Sequence, residues 1–368
     1  MPSPRVPLIA ASTLTGIAGA TWWFRRNAGA YDRSLRAVTS RSPHATDGIF
    51  ANTEPGEPRP DVSPRRVVRM VRHRNEVGVP PGRVPLAPLR LPARPAALAA
   101  TWLGHAGVLL EIDGRRVLVD PVWSKQVSPV PFIGPRRLHP APGPLSALTA
   151  LAGGLDAVLI SHDHYDHLDV RTVRRLAADT TATFVAPLGV GEHLRRWGVP
   201  AARIVQCDWD ETADVAGLRL TCLEARHFSG RWLRRNTTQW GAWSVAGPQH
   251  RVYAGGDTGP TGAFARSGAA HGPFDLTLLP IGAYATLWPD VHMTPEQAVD
   301  AHLALRGDVL VPIHWASFNL GFHAWAEPAE RLARAASDAS VTVAFPRVGG
   351  RVEPGSVLPD DSWWTVLD

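Results

Sequence analysis

A chain of 368 residues with 45% hydrophobic and 19% charged side chains has the composition of a globular protein able to bury a sizeable core. Its two cysteines, Cys207 and Cys222, show no CxxC spacing, which excludes a disulfide framework and a thiolate metal site. A net charge of +5 suits an anionic partner, a phospholipid surface or nucleic acid, yet stretches such as Arg65-Arg66-Val67-Val68-Arg69 read equally well as solvated basic surface.

Residues 1–40 form an apolar N-terminal segment and its flank. Val6 to Phe24 carries no charge and is about long enough to cross a bilayer, for which roughly 20 residues are needed. A membrane anchor or peripheral-membrane segment ranks first. Arg25, Arg26, Arg33 and Arg36 outweigh Arg5 and would leave the rest of the chain in the cytoplasm. Ala18-Gly19-Ala20 resembles a signal-peptide cleavage site, so export is an alternative, as is a loosely attached helix on a soluble protein. Residues 41–100 are rich in proline and arginine and read as a lead-in lying across the main domain, with one short basic helix at Arg65–Arg74.

The compact domain, 101–368, begins near Thr101. Val108–Ile112 and Arg116–Val119 read as strands joined at Asp113-Gly114, a pair that favours positive φ. Ala157–Ile160 is a strand that runs into Ser161-His162-Asp163-His164-Tyr165-Asp166-His167 and then a helix over Leu168–Ala178. Further strands are expected at Arg251–Ala254, Leu276–Leu279 and Val309–Ile313. Thr294-Pro295-Glu296-Gln297 carries the signature of a capped helix start. Short strands alternating with helices indicate a layered α/β domain. Trp123, Trp240, Trp243 and Trp315 read as core or strand residues, whereas Trp232 and Trp288 fall in loops.

His162, His164, Asp166 and His167 lie within six positions just after a buried strand. Residues two apart in extended chain project to the same side, so His162 and His164 can grip one metal while Asp166 and His167 face another. Imidazole and carboxylate suit zinc and related divalent ions. His227, Asp257 and His314 also emerge at strand ends, where loops carry function, and complete the donor set.

In this order, His-x-His-x-Asp-His, a later His, Gly-Asp-Thr-Gly and a final His, the chain resembles the metallo-β-lactamase fold superfamily. Thr101-Trp102-Leu103-Gly104-His105-Ala106, Asp120-Pro121-Val122-Trp123, Gly134-Pro135-Arg136-Arg137, Pro280-Ile281-Gly282-Ala283-Tyr284 and Ile313-His314-Trp315 narrow the resemblance to the N-acyl-phosphatidylethanolamine-hydrolysing phospholipase D family. It covers about Thr101 to Pro328. The resemblance implies an α/β fold of four layers, αββα, with the metals at one edge of the sandwich. It implies two divalent metal ions, zinc first and manganese or iron admissible. His162, His164 and His227 would hold one, Asp166, His167 and His314 the other, with Asp257 between them. Pro260 departs from the family pattern, in which an aromatic residue follows Gly-Asp-Thr-Gly.

The implied activity is that of a phosphodiesterase of the phospholipase D type, in which a hydroxide shared by two metals attacks phosphorus in line. Asp166 would orient that nucleophile as well as ligate. His292 is expected at the substrate, hydrogen-bonding the phosphate or leaving group and acting on the latter's proton. Tyr165 is expected to face the substrate, and Asp120 to support a metal-bound histidine. His105 reads as structural or supporting in equal measure. Another hydrolase on the same scaffold, a sugar-phosphate lactonase or generic phosphodiesterase, is the alternative. The substrate partner is a phospholipid or other phosphodiester, with a membrane surface as a further partner and no nucleic acid expected.

Overall fold

In the computed structural model, which describes residues 29–30, 33–56, 63–129, 134–231, 234–359 and 361–367, the lead-in carries more regular structure than its prolines suggest. Helix α1 (Arg33–Thr39) lies in the flank before it, and the lead-in itself opens on a two-residue ladder of β1 (Ala45–Thr46) and β2 (Ile49–Phe50). Helix α2 (Pro64–Val77) extends the expected basic helix at both ends. The apolar stretch Val6–Phe24 and Trp232 lie outside the described residues, and no described helix is long and apolar enough to cross a membrane.

From Leu98 onward two seven-stranded sheets form. The first is built from β3 (Leu98–Gly104), β4 (Gly107–Ile112), β5 (Arg115–Val119), β6 (Ala157–Leu159), β7 (Thr183–Pro187) and β8 (Ile204–Cys207), interleaved with α3 (Leu145–Thr149), α4 (Val170–Asp179) and α5 (Val190–Arg196). The second takes β9 (Thr212–Val215), β10 (Leu218–Leu223), β11 (Ala242–Ala246), β12 (Arg251–Ala254), β13 (Phe274–Pro280), β14 (Gly307–Ile313) and β15 (Thr342–Val343), with α6 (Ala263–His271), α7 (Pro295–Ala304) and α8 (Glu327–Asp338). A last strand, β16 (Arg351–Val352), returns to the first sheet. The spatial orders are β16-β3-β4-β5-β6-β7-β8 and β15-β14-β13-β12-β11-β10-β9. Each sheet is antiparallel on one side and parallel on the other.

Local sequence explains the joints. Asp113 and Gly114 adopt φ of 47° and 82°, the two positive values a tight hairpin needs. Thr294 and Gln297 form a complete capping box at α7. Asp169 caps α4 by accepting from the Arg171 N–H, so that helix starts two residues later than expected and Leu168 packs in the core instead.

The burial pattern fixes the layering. In β4, Val108, Leu110 and Ile112 join the core between the sheets, while Leu109 joins a second core beneath α4 and α5 with Leu118, Val158 and Phe184. A sheet buried on both faces must be an inner layer. The other sheet is covered outside by Ala298, Ala301, Leu332 and Ala336 of α7 and α8. The result is the expected four-layer αββα sandwich. Trp102, Trp315 and Trp363 stack within it, Trp102 and Trp315 at 5.6 Å and nearly parallel. Such pairs contribute about 0.5–1.5 kcal/mol beyond area burial. Trp240 and Trp243 are buried as expected.

Candidate metal centre

Every expected donor is delivered by a strand end on one edge of the sandwich: His162 after β6, His227 after β10, Asp257 after β12 and His314 after β14. The chain must turn sharply there. His105, Asp120 and His314 hold φ of 55°, 40° and 63°, in the left-handed region that non-glycine residues seldom occupy. Three backbone bonds hold these turns: His105 N–H donates to Ser317 Oγ (2.6 Å), His314 N–H to the His105 carbonyl (3.0 Å), and Asp120 N–H to the Leu159 carbonyl (2.9 Å). Trp102 Nε1 also donates to the His105 carbonyl (2.8 Å), which ties the stacked core to this edge. Gly256 is required on steric grounds, since a Cβ there would sit 2.5 Å from Cβ of Ser161.

The donors gather into overlapping groups. His162, His164, His227 and Asp257 can direct one atom each at a common point, as can His105, Asp166, His167 and His314. In the first group His162 Nε2 lies 2.8 Å and His227 Nε2 3.3 Å from His164 Nδ1. In the second, Asp166 Oδ2 lies 2.8 Å from His105 Nε2 and 3.3 Å from His314 Nε2. Asp257 belongs to both neighbourhoods. Its Oδ2 is 3.1 Å from His167 Nε2 and from His314 Nε2, and 3.7 and 3.9 Å from Nε2 of His227 and His162. His292 forms a third group with Asp257 and His314, its Nδ1 4.0 Å from Asp257 Oδ2.

Neighbours fix the rings of His167, His227 and His162 so that each turns a nitrogen inward. His167 Nδ1 donates to Asp120 Oδ2 (2.8 Å) and His227 Nδ1 to the Val291 carbonyl (3.0 Å). Asp120 also accepts from the N–H (2.8 Å) and hydroxyl (2.6 Å) of Ser161, whose oxygen lies 2.9 Å from His162 Nδ1. Asp120 therefore orients one histidine directly and another through a hydroxyl, the support that metal-binding histidines require.

The electrostatics match a cation site. Burial would raise the Asp257 carboxyl, but His167, His314 and His292 hold it well below the usual carboxylate range. Asp166 is held low in the same way by His167 and by its bonds to His105 and His314. Burial, with neighbouring histidines adding to it, pushes His162 well below its ordinary value, and burial does the same to His227. Burial with His314 alongside brings His105 down to about 3. Burial would lower His167 and His314 too, but Asp257 and Asp166 overcome it and hold both above the ordinary imidazole value. The centre thus sets ionised carboxylates among neutral imidazoles at His162, His227 and His105 and protonation-prone ones at His167 and His314, positive charge that a divalent ion would replace. Among the described residues, His167 Nε2 and Asp257 Oδ1 are buried without a hydrogen-bond partner, a cost of about 1–3 kcal/mol each. A divalent ion held by nitrogen and oxygen satisfies these atoms, so the residues fit the metal that the donor set implies.

The structure therefore brings together His162, His164, Asp166, His167, His227, Asp257, His314 and His292. Tyr165 stands outside the groups: its hydroxyl donates to the Arg231 carbonyl (2.5 Å) and the Arg231 guanidinium covers its ring at 4.0 Å. Three contributors escaped sequence reasoning. His105, read there as structural or supporting, joins the second group, its ring 4.0 Å from that of His314. Asp163, between two inward-pointing histidines, points the other way and accepts from the Gly230 N–H (2.7 Å) and Thr238 hydroxyl (2.9 Å), pinning the segment behind His227. Asn52, far off in the lead-in, bonds the His227 backbone. At Pro260 the carbonyl accepts from Arg226 Nη1 (3.1 Å), whose guanidinium also holds the Pro55 carbonyl.

A β-lactamase superfamily domain model matches residues 115–315. An uncharacterized protein of Mycobacterium tuberculosis is 49% identical over 372 residues, covering 97% of this chain and 98% of its own length. N-acyl-phosphatidylethanolamine-hydrolyzing phospholipase D 1 of Caenorhabditis elegans is 36% identical over 250 residues, 64% of this chain and 69% of that protein. Among solved structures, the metallo hydrolase Igni18 of the archaeon Ignicoccus hospitalis matches with a TM-score of 0.54 at 25% identity, over 69% of this chain and 97% of its own. The chain belongs to the metallo-β-lactamase superfamily as a metal-dependent hydrolase, and its relatives include N-acyl-phosphatidylethanolamine-hydrolysing phospholipases D.

Proposed function

We propose that this hydrolase is a phosphodiesterase of the phospholipase D type, acting on N-acyl-phosphatidylethanolamine-like phospholipids with two divalent ions, zinc first. The observation that carries the reading is Asp257, whose one oxygen stands between two histidine-rich groups while His292 flanks both. Likeness to the Caenorhabditis elegans phospholipase D supports the substrate class.

His162, His164 and His227 would hold one ion, and Asp166, His167 and His314 the other, with Asp257 shared. Metals in such a site acidify water and neutralise phosphoryl charge. In the overall reaction a water oxygen bonds phosphorus, the bond from phosphorus to the leaving alcohol's oxygen breaks, and a proton passes to that oxygen. The products are phosphatidic acid and an N-acylethanolamine. Asp166 is the most exposed carboxylate of the centre and is fixed by His105, so it is placed to accept from the incoming water. Burial holds His292 at about 4, so it works as a neutral imidazole that hydrogen-bonds the leaving oxygen.

A lipid surface as partner is supported by α2, where exposed Val68 and Val71 lie beside exposed Arg65, Arg69 and Arg72. Peripheral membrane association follows from that reading.

The test is metal content together with hydrolysis of N-acyl-phosphatidylethanolamine and of bis-p-nitrophenyl phosphate. Two ions per chain and lipid hydrolysis abolished by His162→Ala or Asp257→Ala are expected. Turnover of the generic ester alone would discard the lipid, and a protein purified without metal that takes up none would discard the whole reading.

A further inference from the structure

Gly29 and Ala30, in the N-terminal flank, are buried against α5. Gly29 takes a φ of 105°, and a Cβ there would stand 2.3 Å from His193 Nδ1 and 2.7 Å from its Cε1. The main chain therefore lies directly on the imidazole, where only glycine fits. One residue on, the Ala30 N–H donates to His193 Nδ1 (2.8 Å). With Nδ1 an acceptor the ring proton sits on Nε2, which donates to Asp163 Oδ2 (3.2 Å). The ring has no room to retreat, because Trp197 stacks on it at 5.9 Å. The flank grips α5 a second time at Gly189, where a Cβ would meet Cδ1 of buried Leu35 at 2.8 Å.

Asp163 stands between His162 and His164, so a shift of its backbone moves both donors. Besides the bonds from Gly230 and Thr238, its carbonyl accepts from Arg231 Nη1 (2.8 Å), which also donates to the Leu168 carbonyl (2.7 Å). The Arg231 guanidinium in turn stands 4.9 Å over the Trp197 ring. The run that carries four of the expected ligands is thus fastened to His193, Trp197 and Arg231, on the side away from the donors.

We propose that His193 is a positioning residue for the metal centre, and that the N-terminal flank, seated on it through Gly29 and Ala30, sets how tightly metal is held. Seated, the flank fixes the ring and the ring fixes Asp163, so His162 and His164 converge. Lifted, Nδ1 loses its donor, the ring can turn, and Asp163 loses one of the bonds that aim its neighbours. The apolar stretch Val6–Phe24 ends five residues before Gly29, so its placement is linked to this contact through at most about 18 Å of chain. The inference goes beyond the phosphodiesterase reading and holds whichever ester the centre cuts.

The experiment measures zinc affinity of the full chain by chelator competition. Gly29→Ala drives a Cβ into the imidazole, and His193→Phe keeps the stack on Trp197 while deleting both bonds; each should lower affinity about 10–100-fold. His193→Gln, which retains an acceptor and a donor, should recover most of that loss. Gly217→Ala is the control, because Gly217 also has a positive φ, 83°, but its Cβ would meet nothing within 4 Å. It should bind zinc as wild type does. Gly29→Ala combined with His193→Phe should be no weaker than His193→Phe alone, since both act through one contact. Losses that multiply in the double variant, or equal affinity in Gly29→Ala and Gly217→Ala, overturn the proposal. If His193→Phe does not fold, the comparison of the two glycine variants decides alone. A wild type that takes up no zinc, manganese or iron overturns the metal centre itself, and the proposal falls with it.

Discussion

The carboxamide of Asn52 pairs with the backbone of His227 as a neighbouring strand would: Nδ2 donates to the His227 carbonyl at 2.9 Å and Oδ1 accepts its N–H at 3.1 Å. Together with the bond from His227 Nδ1 to the Val291 carbonyl, this leaves the ring one orientation. Asn52→Ala should lower metal affinity about 10–100-fold, the usual effect of losing a ligand's support, with the fold retained. Chelator competition reads the affinity and circular dichroism the fold. Affinity equal to wild type would remove Asn52 from the centre's supports.

Asp120 carries three hydrogen bonds inside the protein, from Ser161 N–H, Ser161 hydroxyl and His167 Nδ1. Asp120→Asn keeps the shape but forfeits the charge that orients His167. We expect a 10–100-fold loss of metal affinity and a parallel drop in kcat at fixed metal, recoverable by adding metal. A drop that excess metal does not rescue would place Asp120 in the chemistry instead.

Acid should weaken the fold through buried histidines that are not themselves among the donors. Burial holds His302, bonded to Thr277, at about 4, and burial brings His139 to about 4 as well. Unfolded, each titrates near 6.5. Between these values the unfolded chain binds more protons, so the contribution is complete above pH 6.5, falls as pH drops toward 4, and changes no further below that. Thermal midpoints of metal-loaded protein from pH 7.5 to 4.5 should decline over that window, less steeply in His302→Asn. Parallel declines in the two proteins would assign the acid sensitivity elsewhere.

Arg116 is buried and holds the lead-in against the domain, donating to the carbonyls of Pro92, Ala93 and Ala152. Arg116→Ala opens a cavity and strands these acceptors, at a cost of roughly 3 kcal/mol. Urea denaturation should show a lower midpoint with KM unmoved. A midpoint within experimental error of wild type would mean the lead-in is fastened by other contacts.

What the sequence made legible follows from locality. The histidine-aspartate cluster, the Asp113-Gly114 turn and the Thr294 cap are each encoded within a few residues, and period-two spacing announces which side chains share a face. The four-layer order was readable through family resemblance rather than periodicity, since strands buried on both faces show no alternation. Asn52 was invisible because its partner stands 175 positions away and its own neighbours, Ala51 and Thr53, carry no sign of a site. His105 was visible as a residue but not as a member of the donor group, because its contact with Asp166 depends on how two strand ends meet. Asp163 was passed over because it sits among donors while facing away from them.

The two sheets contribute to the centre unequally in kind. The first supplies the contiguous run His162–His167, while His227, Asp257 and His314 arrive singly from the second. Neither half owns a complete coordination sphere. Loading is therefore a checkpoint on assembly: an ion finds its full complement only after the halves have docked in register. A metal held there would be a rivet through the seam, and would place a test of correct folding at the site itself.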